Sequence, residues 1–497
     1  MSRTPSTSIH DIKTLVLSFH PVVVIETVEE DRVISLLSRV AAQLSLPFFH
    51  WSITRGLVRF PGKTSLYKTE DVAILLKTLE EINKGMFLLK DFGRFLENPA
   101  VARGFREVAQ QFVQKRSAIV LTGAAVHLPA DIEHGVVHYQ FKLPGREELR
   151  TVVDTLLKSL KNRKDVEVQL SVKEMDELLR VLRGLTLNQA RQTVAYAALE
   201  DGRLSAEDLG DILQRKAQTI QEGGLLEYFP VEDNWFHLGG FDRLKSWLER
   251  AQIGFTAEAQ QLNLPAPKGI LLVGVQGCGK SLAAKVIARQ WKLPLLKLDA
   301  GRLYDKYIGE SEKNFRRAIS LAESMAPVVL WIDEIEKAMS SGSGDSDGGL
   351  SRRMFGSFLT WLQEKQAEVF VVATANDLSI LPPELLRKGR FDEIFFVDLP
   401  KDKEREDIFK IHLKLRKQDP GRFEMDRLVA AAESFSGAEI EQAVIASLYR
   451  ALHVKRSLDT ELLLEELAET VPLSVSRRED IQRLRATARD RFVNVTS

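Results

Sequence analysis

Residues 274–281 read Gly-Val-Gln-Gly-Cys-Gly-Lys-Ser and meet the spacing G-x-x-x-x-G-K-[ST]. An apolar run precedes them and a helical pattern follows, which is the setting such a loop needs. Glycines let the backbone turn its N–H groups inward around phosphate oxygens. A helix beginning near Gly279 adds its positive N-terminal end. Lys280 is placed to reach the β- and γ-phosphates, and the Ser281 hydroxyl to hold Mg²⁺, with Leu282 next in the same contact stretch. Downstream, Asp333 and Glu334 end the apolar run 328–332. Carboxylates at the end of a central parallel strand face the crevice where such sheets bind ligands. Asp333 suits a magnesium ligand, directly or through water, and Glu334 a general base that polarises water. Asn376 closes the following strand, where a polar side chain can orient that water. Taken alone, an Asn at a strand end is usually a turn residue, and a lone carboxylate there is usually just solvated. Cys278 reads as a small filler of the loop and not as a redox switch.

Parallel strands alternating with helices must carry these residues. The runs 269–273, 294–299, 328–333, 370–375 and 393–399 are predicted strands, as are 22–27, 87–92 and 118–122. Strand patterning stops near Leu143-Pro144, and 145–221 reads as helices. Gly223-Gly224 and Pro230 punctuate the chain, so a linker is expected over 223–236. After Pro400 the pattern is helical to the end, and 340–349 is a polar loop rich in glycine and serine.

The two halves share one plan. PVVVIET followed by LSLPFFHW mirrors GILLVGV followed by WKLPLLKL, and LTGAAVHLP mirrors ATANDLSILP. An internal duplication follows, in which the first copy has Arg32-Val33-Ile34 where the second has Gly279-Lys280-Ser281. The competing explanation is that any two open α/β sheets look alike at this level. The fold class expected is α/β: a phosphate-loop module of parallel sheet plus helical lid, preceded by a degenerate copy without the loop. The expected divisions are 1–222 (α/β part 15–146, helical part 147–222), linker 223–236, ATPase domain 237–400, and lid with further helices 401–497.

Composition narrows the functions. Lysine plus arginine and aspartate plus glutamate are equal at 69 each, so no global basic field holds nucleic acid. One cysteine excludes an intrachain disulfide and a zinc cluster. No apolar run approaches the roughly 18 residues of a membrane span. The first dozen residues lack an apolar signal core. A soluble intracellular protein is expected.

Together with further segments over 235–452, these motifs resemble the AAA clade of AAA+ ATPases, which includes katanin, spastin and valosin-containing protein. Leu238-Gly239-Gly240-Phe241 looks like the clade's linker against adenine. The stretch 385–392 looks like its second region of homology, in which Arg387 and Arg390 would reach into a neighbouring subunit's ATP. His412, after Ile411, matches a base-pocket position. Gly437 and Ala438 match the start of the lid helix, where Ser436 and Glu439 also spell a capping box. Tyr307-Ile308-Gly309 resembles the pore loop of ring-forming unfoldases. The prolines usual in the clade's loop are replaced by Val275 and Gln276. Over the whole chain the resemblance is to the hypothetical chloroplast reading frame AAA proteins of cyanobacteria and algal plastids.

That resemblance implies ATP and Mg²⁺ as ligands, a homo-oligomeric ring (a hexamer), and a plastid stroma or cyanobacterial cytoplasm, with a link to carbon assimilation. The leading functional expectation is ATP-driven remodelling of a protein client. A nucleotide-controlled scaffold with slow hydrolysis is the alternative. A nucleic-acid-acting ATPase is disfavoured by the balanced charge and the absence of a recognised binding module.

Overall fold

Short apolar runs of β-branched and aromatic residues can be buried on both faces only inside a parallel sheet covered by helices, and the chain builds two such sheets. The computed structural model describes residues 8–82, 84–163, 166–229, 238–299, 310–337, 348–378, 380–387, 389–489 and 491–496. It divides into two units, Met1–Leu143 with Thr186–Gln189, and Pro144–Leu185 with Ala190–Ser497.

The first unit contains β1 (Val22–Glu26), β2 (Phe48–Ser52), β3 (Gly56–Arg59), β4 (Met86–Lys90), β5 (Ala118–Gly123) and β6 (Val136–His138). Their order is β3-β2-β4-β5-β1-β6. Every pairing is parallel except that of β2 with the edge strand β3. Aromatic side chains fill one face. Phe87 stacks on Phe49 and Phe112, each at 5.2 Å between ring centroids. The fully buried Trp51 donates its indole N–H to the Thr69 carbonyl at 2.6 Å, so its polar edge is satisfied.

The second unit begins with helices Arg146–Arg163, Val172–Val181 and Asp208–Glu222 and the short strands β7 (Glu167–Val168) and β8 (Arg203–Leu204). Its large sheet is made of β9 (Leu226–Phe229), β10 (Gly269–Gly274), β11 (Leu295–Leu298), β12 (Val328–Ile332), β13 (Val369–Ala375), β14 (Glu393–Val397) and β15 (Val493–Asn494). The order is β15-β14-β10-β13-β12-β11-β9, parallel throughout except for β9 against β11.

Five strands correspond between the sheets: β6-β1-β5-β4-β2 runs in the same order as β14-β10-β13-β12-β11, and each row ends in an antiparallel edge strand. Chance likeness of two open sheets does not require that agreement of order. The fold is α/β: a sheet carrying the phosphate loop, preceded by a second sheet of matching strand order without that loop.

Three stretches differ from expectation: within 145–221, read as helices, Glu167–Val168 pairs in parallel with Arg203–Leu204. Within the expected linker 223–236, residues 226–229 are strand, with Leu226 paired to Leu298 and buried in the core. Four residues at a sheet edge carry too little periodicity to announce themselves. Within the expected all-helical 401–497, β15 joins the large sheet beside β14.

The sites where the two copies part company are also visible. Residues 27–29 connect β1 to the helix Glu30–Gln43, whereas 275–279 connect β10 to the helix Lys280–Gln290. The shorter connection leaves no loop to wrap a phosphate. Arg32 is tied to Glu29 at 3.1 Å and to the Lys142 carbonyl at 2.7 Å. Lys90 pairs with Thr122 in the ladder as Asp333 hydrogen-bonds to Thr374, so an ammonium stands where the second copy has a carboxylate. That ammonium is neutralised by Glu30 at 2.7 Å.

Candidate nucleotide site

β10 is flanked by β13 and β14, so the connections on its two sides leave in opposite directions and open a crevice at its carboxyl end. A cavity of about 660 Å³ lies there, a size common for small-molecule sites. Gly274 has φ +152°, and a Cβ on it would meet the Val397 carbonyl oxygen at 1.9 Å. Glycine is therefore obligatory where the loop leaves the sheet. Gly279, at φ +85°, turns the chain into the helix.

Gln276, Gly277, Cys278, Gly279, Lys280, Ser281 and Leu282 line the cavity. Gly274 and Val275 do not: Val275 is buried, and its N–H is spent on the Val397 carbonyl at 2.9 Å. Both contribute carbonyls, which accept the Lys280 ammonium at 2.8 and 2.7 Å. Cys278 is buried and its thiol is pushed up to about 12 by that burial, which fits an inert filler.

Opposite the loop, Asp333 Oδ1 accepts the Ser281 hydroxyl at 3.0 Å and the Thr374 hydroxyl at 2.7 Å. Glu334 adopts the left-handed conformation at φ +49°. Non-glycine residues avoid it unless held. The Glu334 N–H donates to Thr374 Oγ1 at 2.9 Å, and the Ile335 N–H to the Thr374 carbonyl at 2.9 Å, so Thr374 fixes the turn. The Glu334 carboxylate accepts the Asn376 amide at 2.9 Å and pairs with Lys337.

Glu336 completes the group and was not singled out from the sequence. It is 7 % exposed, accepts the Asn376 backbone N–H at 2.8 Å, and leaves Oε2 buried without a partner. Burial raises its pKa above the usual carboxylate range. By holding the Asn376 backbone it sets where the Asn376 amide points. The available signal was a second acid two residues beyond Glu334, in Asp333-Glu334-Ile335-Glu336.

Leu238, Gly239, Phe241, Ile411, His412, Gly437 and Ala438 also line the cavity. Gly437 opens the lid helix Gly437–His453, whose capping box joins Ser436 and Glu439 as expected. The Ala438 N–H donates to the Gly277 carbonyl at 3.0 Å, which ties the lid to the phosphate loop. Burial lowers the His412 pKa, against the opposing charge of Glu441. Arg387 and Arg390 are absent from the lining. They sit on the loop before β14, and Arg390 donates to the Glu384 carbonyl. Tyr307 and Ile308 lie outside the described residues.

The residues fit a magnesium triphosphate. Ser281 and Asp333 stand side by side, as a hydroxyl and a carboxylate sharing one ion would. Lys280 is 6 % exposed, and burial lowers its pKa to about 8, partly offset by Asp333, Glu334 and Glu336. A polyanion beside the amine would restore its usual basicity. Nucleotide binding is therefore expected to take up protons once the pH reaches about 8, and affinity should fall as pH rises further. Above about pH 8, calorimetry in two buffers of different ionisation enthalpy should show net proton uptake on nucleotide binding.

Comparison with known proteins accords with this geometry. The model of the ATPase family associated with various cellular activities (AAA) matches residues 270–399. Those of the SpoVK-like AAA ATPase N-terminal and second domains match 8–141 and 147–223. The AAA domain-containing protein ycf46 of Trieres chinensis is 35% identical over 482 residues, covering 96% of each chain. That of Pyropia yezoensis is 36% identical over 485 residues, covering 97% of each. The cell division cycle protein 48 homolog of Archaeoglobus fulgidus is 29% identical over 282 residues, covering 56% of this chain and 38% of its own. This chain is therefore a member of the AAA ATPase family, carrying two SpoVK-like domains ahead of its ATPase domain.

Proposed function

We propose that this protein hydrolyses Mg·ATP and, as a ring of identical subunits, uses the turnover to remodel or partly unfold a protein client. The observation that carries the reading is the convergence of Lys280, Ser281, Asp333, Glu334 and Asn376 on one crevice. Lys280 leaves the Gly274 and Val275 carbonyls and meets the β- and γ-phosphates. Ser281 and Asp333 hold Mg²⁺, which supplies positive charge against the phosphate oxygens. Asn376 orients water on Glu334, whose carboxylate takes the proton as the water attacks. Leu238, Gly239, His412, Gly437 and Ala438 surround the base. Arg387 and Arg390, outside their own cavity, serve the neighbouring subunit's site, where opposing cations stabilise charge on the transferring phosphoryl group. Tyr307 and Ile308 grip the client, an aromatic giving sequence-tolerant contact.

Tyr307→Ala is expected to leave the Kd for ATP within about twofold and to reduce client-dependent work by about tenfold or more. The readout is loss of structure in a trapped client, followed by hydrogen exchange. Normal remodelling by this variant would sink the threading role. The setting proposed is a plastid stroma or cyanobacterial cytoplasm, supported by the algal relatives.

A scaffold with slow hydrolysis is the second reading. The Lys90–Glu30 pair favours it, because a domain that has lost its phosphate cradle is a ready interaction surface. Turnover that stays flat and slow when client is added would select the scaffold. Marked stimulation would select the remodeller.

A further inference from the structure

Residues 473–489 and 491–496 are held at four places, one on the lid and three on the ATPase domain. The Leu473 N–H donates to Glu439 Oε1 at 2.7 Å, and the Ser474 hydroxyl to the Ser434 carbonyl, at the start of the lid. The Arg485 guanidinium forks onto Asp398, with Nε at 2.9 Å from Oδ2 and Nη2 at 2.8 Å from Oδ1. β15 pairs with β14, and the Val495 N–H extends the pairing to the Phe396 carbonyl at 3.1 Å. The Val495 carbonyl in turn accepts the Arg243 N–H at 3.0 Å, at the first turn of the helix Asp242–Gln252.

Strand periodicity then sorts the side chains. Val493 and Val495 turn toward the apolar core that includes Phe241, Leu244 and Val397. Asn494 and Thr496 line the nucleotide cavity together with Val495, Leu238, Gly239, Phe241 and Asp398. Neither side chain has a hydrogen-bond partner among the described residues. The same cavity is lined by Leu238, Gly239, His412, Gly437 and Ala438, which the proposed function sets around the base.

We infer that Asn494 and Thr496 form one wall of the nucleotide site and hydrogen-bond the base or ribose of the bound nucleotide. This rests on the nucleotide-binding reading above. An amide and a hydroxyl each offer a donor and an acceptor, matching the mixed donors and acceptors of a ribose or an adenine edge. Arg485 lines the same cavity, and its fork on Asp398 anchors the helix Arg478–Ala488 that precedes the strand.

The test uses the full chain and two magnesium-bound ligands, ATP and inorganic tripolyphosphate, which lacks the nucleoside. Asn494→Ala with Thr496→Val is expected to weaken ATP binding roughly 5- to 100-fold, the loss of two neutral hydrogen bonds, and to leave tripolyphosphate binding unchanged. Asn494→Ala alone alters an exposed position and keeps the test readable if the double variant melts early. Unchanged ATP affinity in the variants overturns the inference, as does equal weakening of both ligands. Failure of the unmodified chain to bind either ligand sinks the nucleotide-binding reading as well, which separates the two failures.

Discussion

Glu334→Gln is expected to retain Mg·ATP and lower kcat by about 10²- to 10⁴-fold, the range that a positioned general base contributes. The amide keeps the shape of the side chain and can still accept the Asn376 N–H that now reaches Oε1 at 2.9 Å. It loses the ion pair with Lys337, whose side chain is 65 % exposed. A pair so open to solvent contributes little to stability, so the variant should melt close to the unmodified chain. What it cannot do is take a proton from water. Protein recovered after incubation with ATP should carry the triphosphate and not the diphosphate, read by chromatography of the released nucleotide. Hydrolysis at the unmodified rate would move the base elsewhere, with Glu336 the next carboxylate to try.

Lys280→Ala should cost more than chemistry. The ammonium is the buried cation of the loop, and truncating one member of a buried charged interaction typically costs about 2–5 kcal/mol. Affinity for Mg·ATP should therefore fall by at least about 30-fold, and turnover with it. The Gly274 and Val275 carbonyls lose their donor, yet they border a cavity large enough for water to replace it. The fold should survive, which a thermal melt would verify alongside equilibrium binding of a fluorescent ATP analogue. Binding within about threefold of the unmodified chain would remove Lys280 from the triphosphate's contacts.

The parts of this architecture that the sequence made legible are local ones. The phosphate loop is eight consecutive residues whose glycines, lysine and serine act through their own backbone and neighbours. The lid helix announced its start because a capping box closes within four residues. Strand runs such as 269–273 stood out because burial on both faces admits little but apolar side chains. What remained hidden depends on distant partners. Asp398 and Arg485 are 87 residues apart and become a pair only through the fold. β15 is two residues long and gains its identity from β14. Glu336 reads as one more acid until the Asn376 N–H is seen to end on it. Thr374 belongs to no motif, yet its hydroxyl holds both Asp333 and the Glu334 N–H.

The exchange of a carboxylate for Lys90 has a stoichiometric consequence. A metal ion seated in the amino-terminal sheet would land beside a resident positive charge that already owns its counter-ion, Glu30. Repulsion and the loss of that partner would both oppose occupancy. The amino-terminal half is therefore expected to take up no magnesium nucleotide. Saturating a solution of this protein with ATP should consume one equivalent per polypeptide, and a second equivalent taken up would show that the exchange leaves the amino-terminal crevice open to nucleotide.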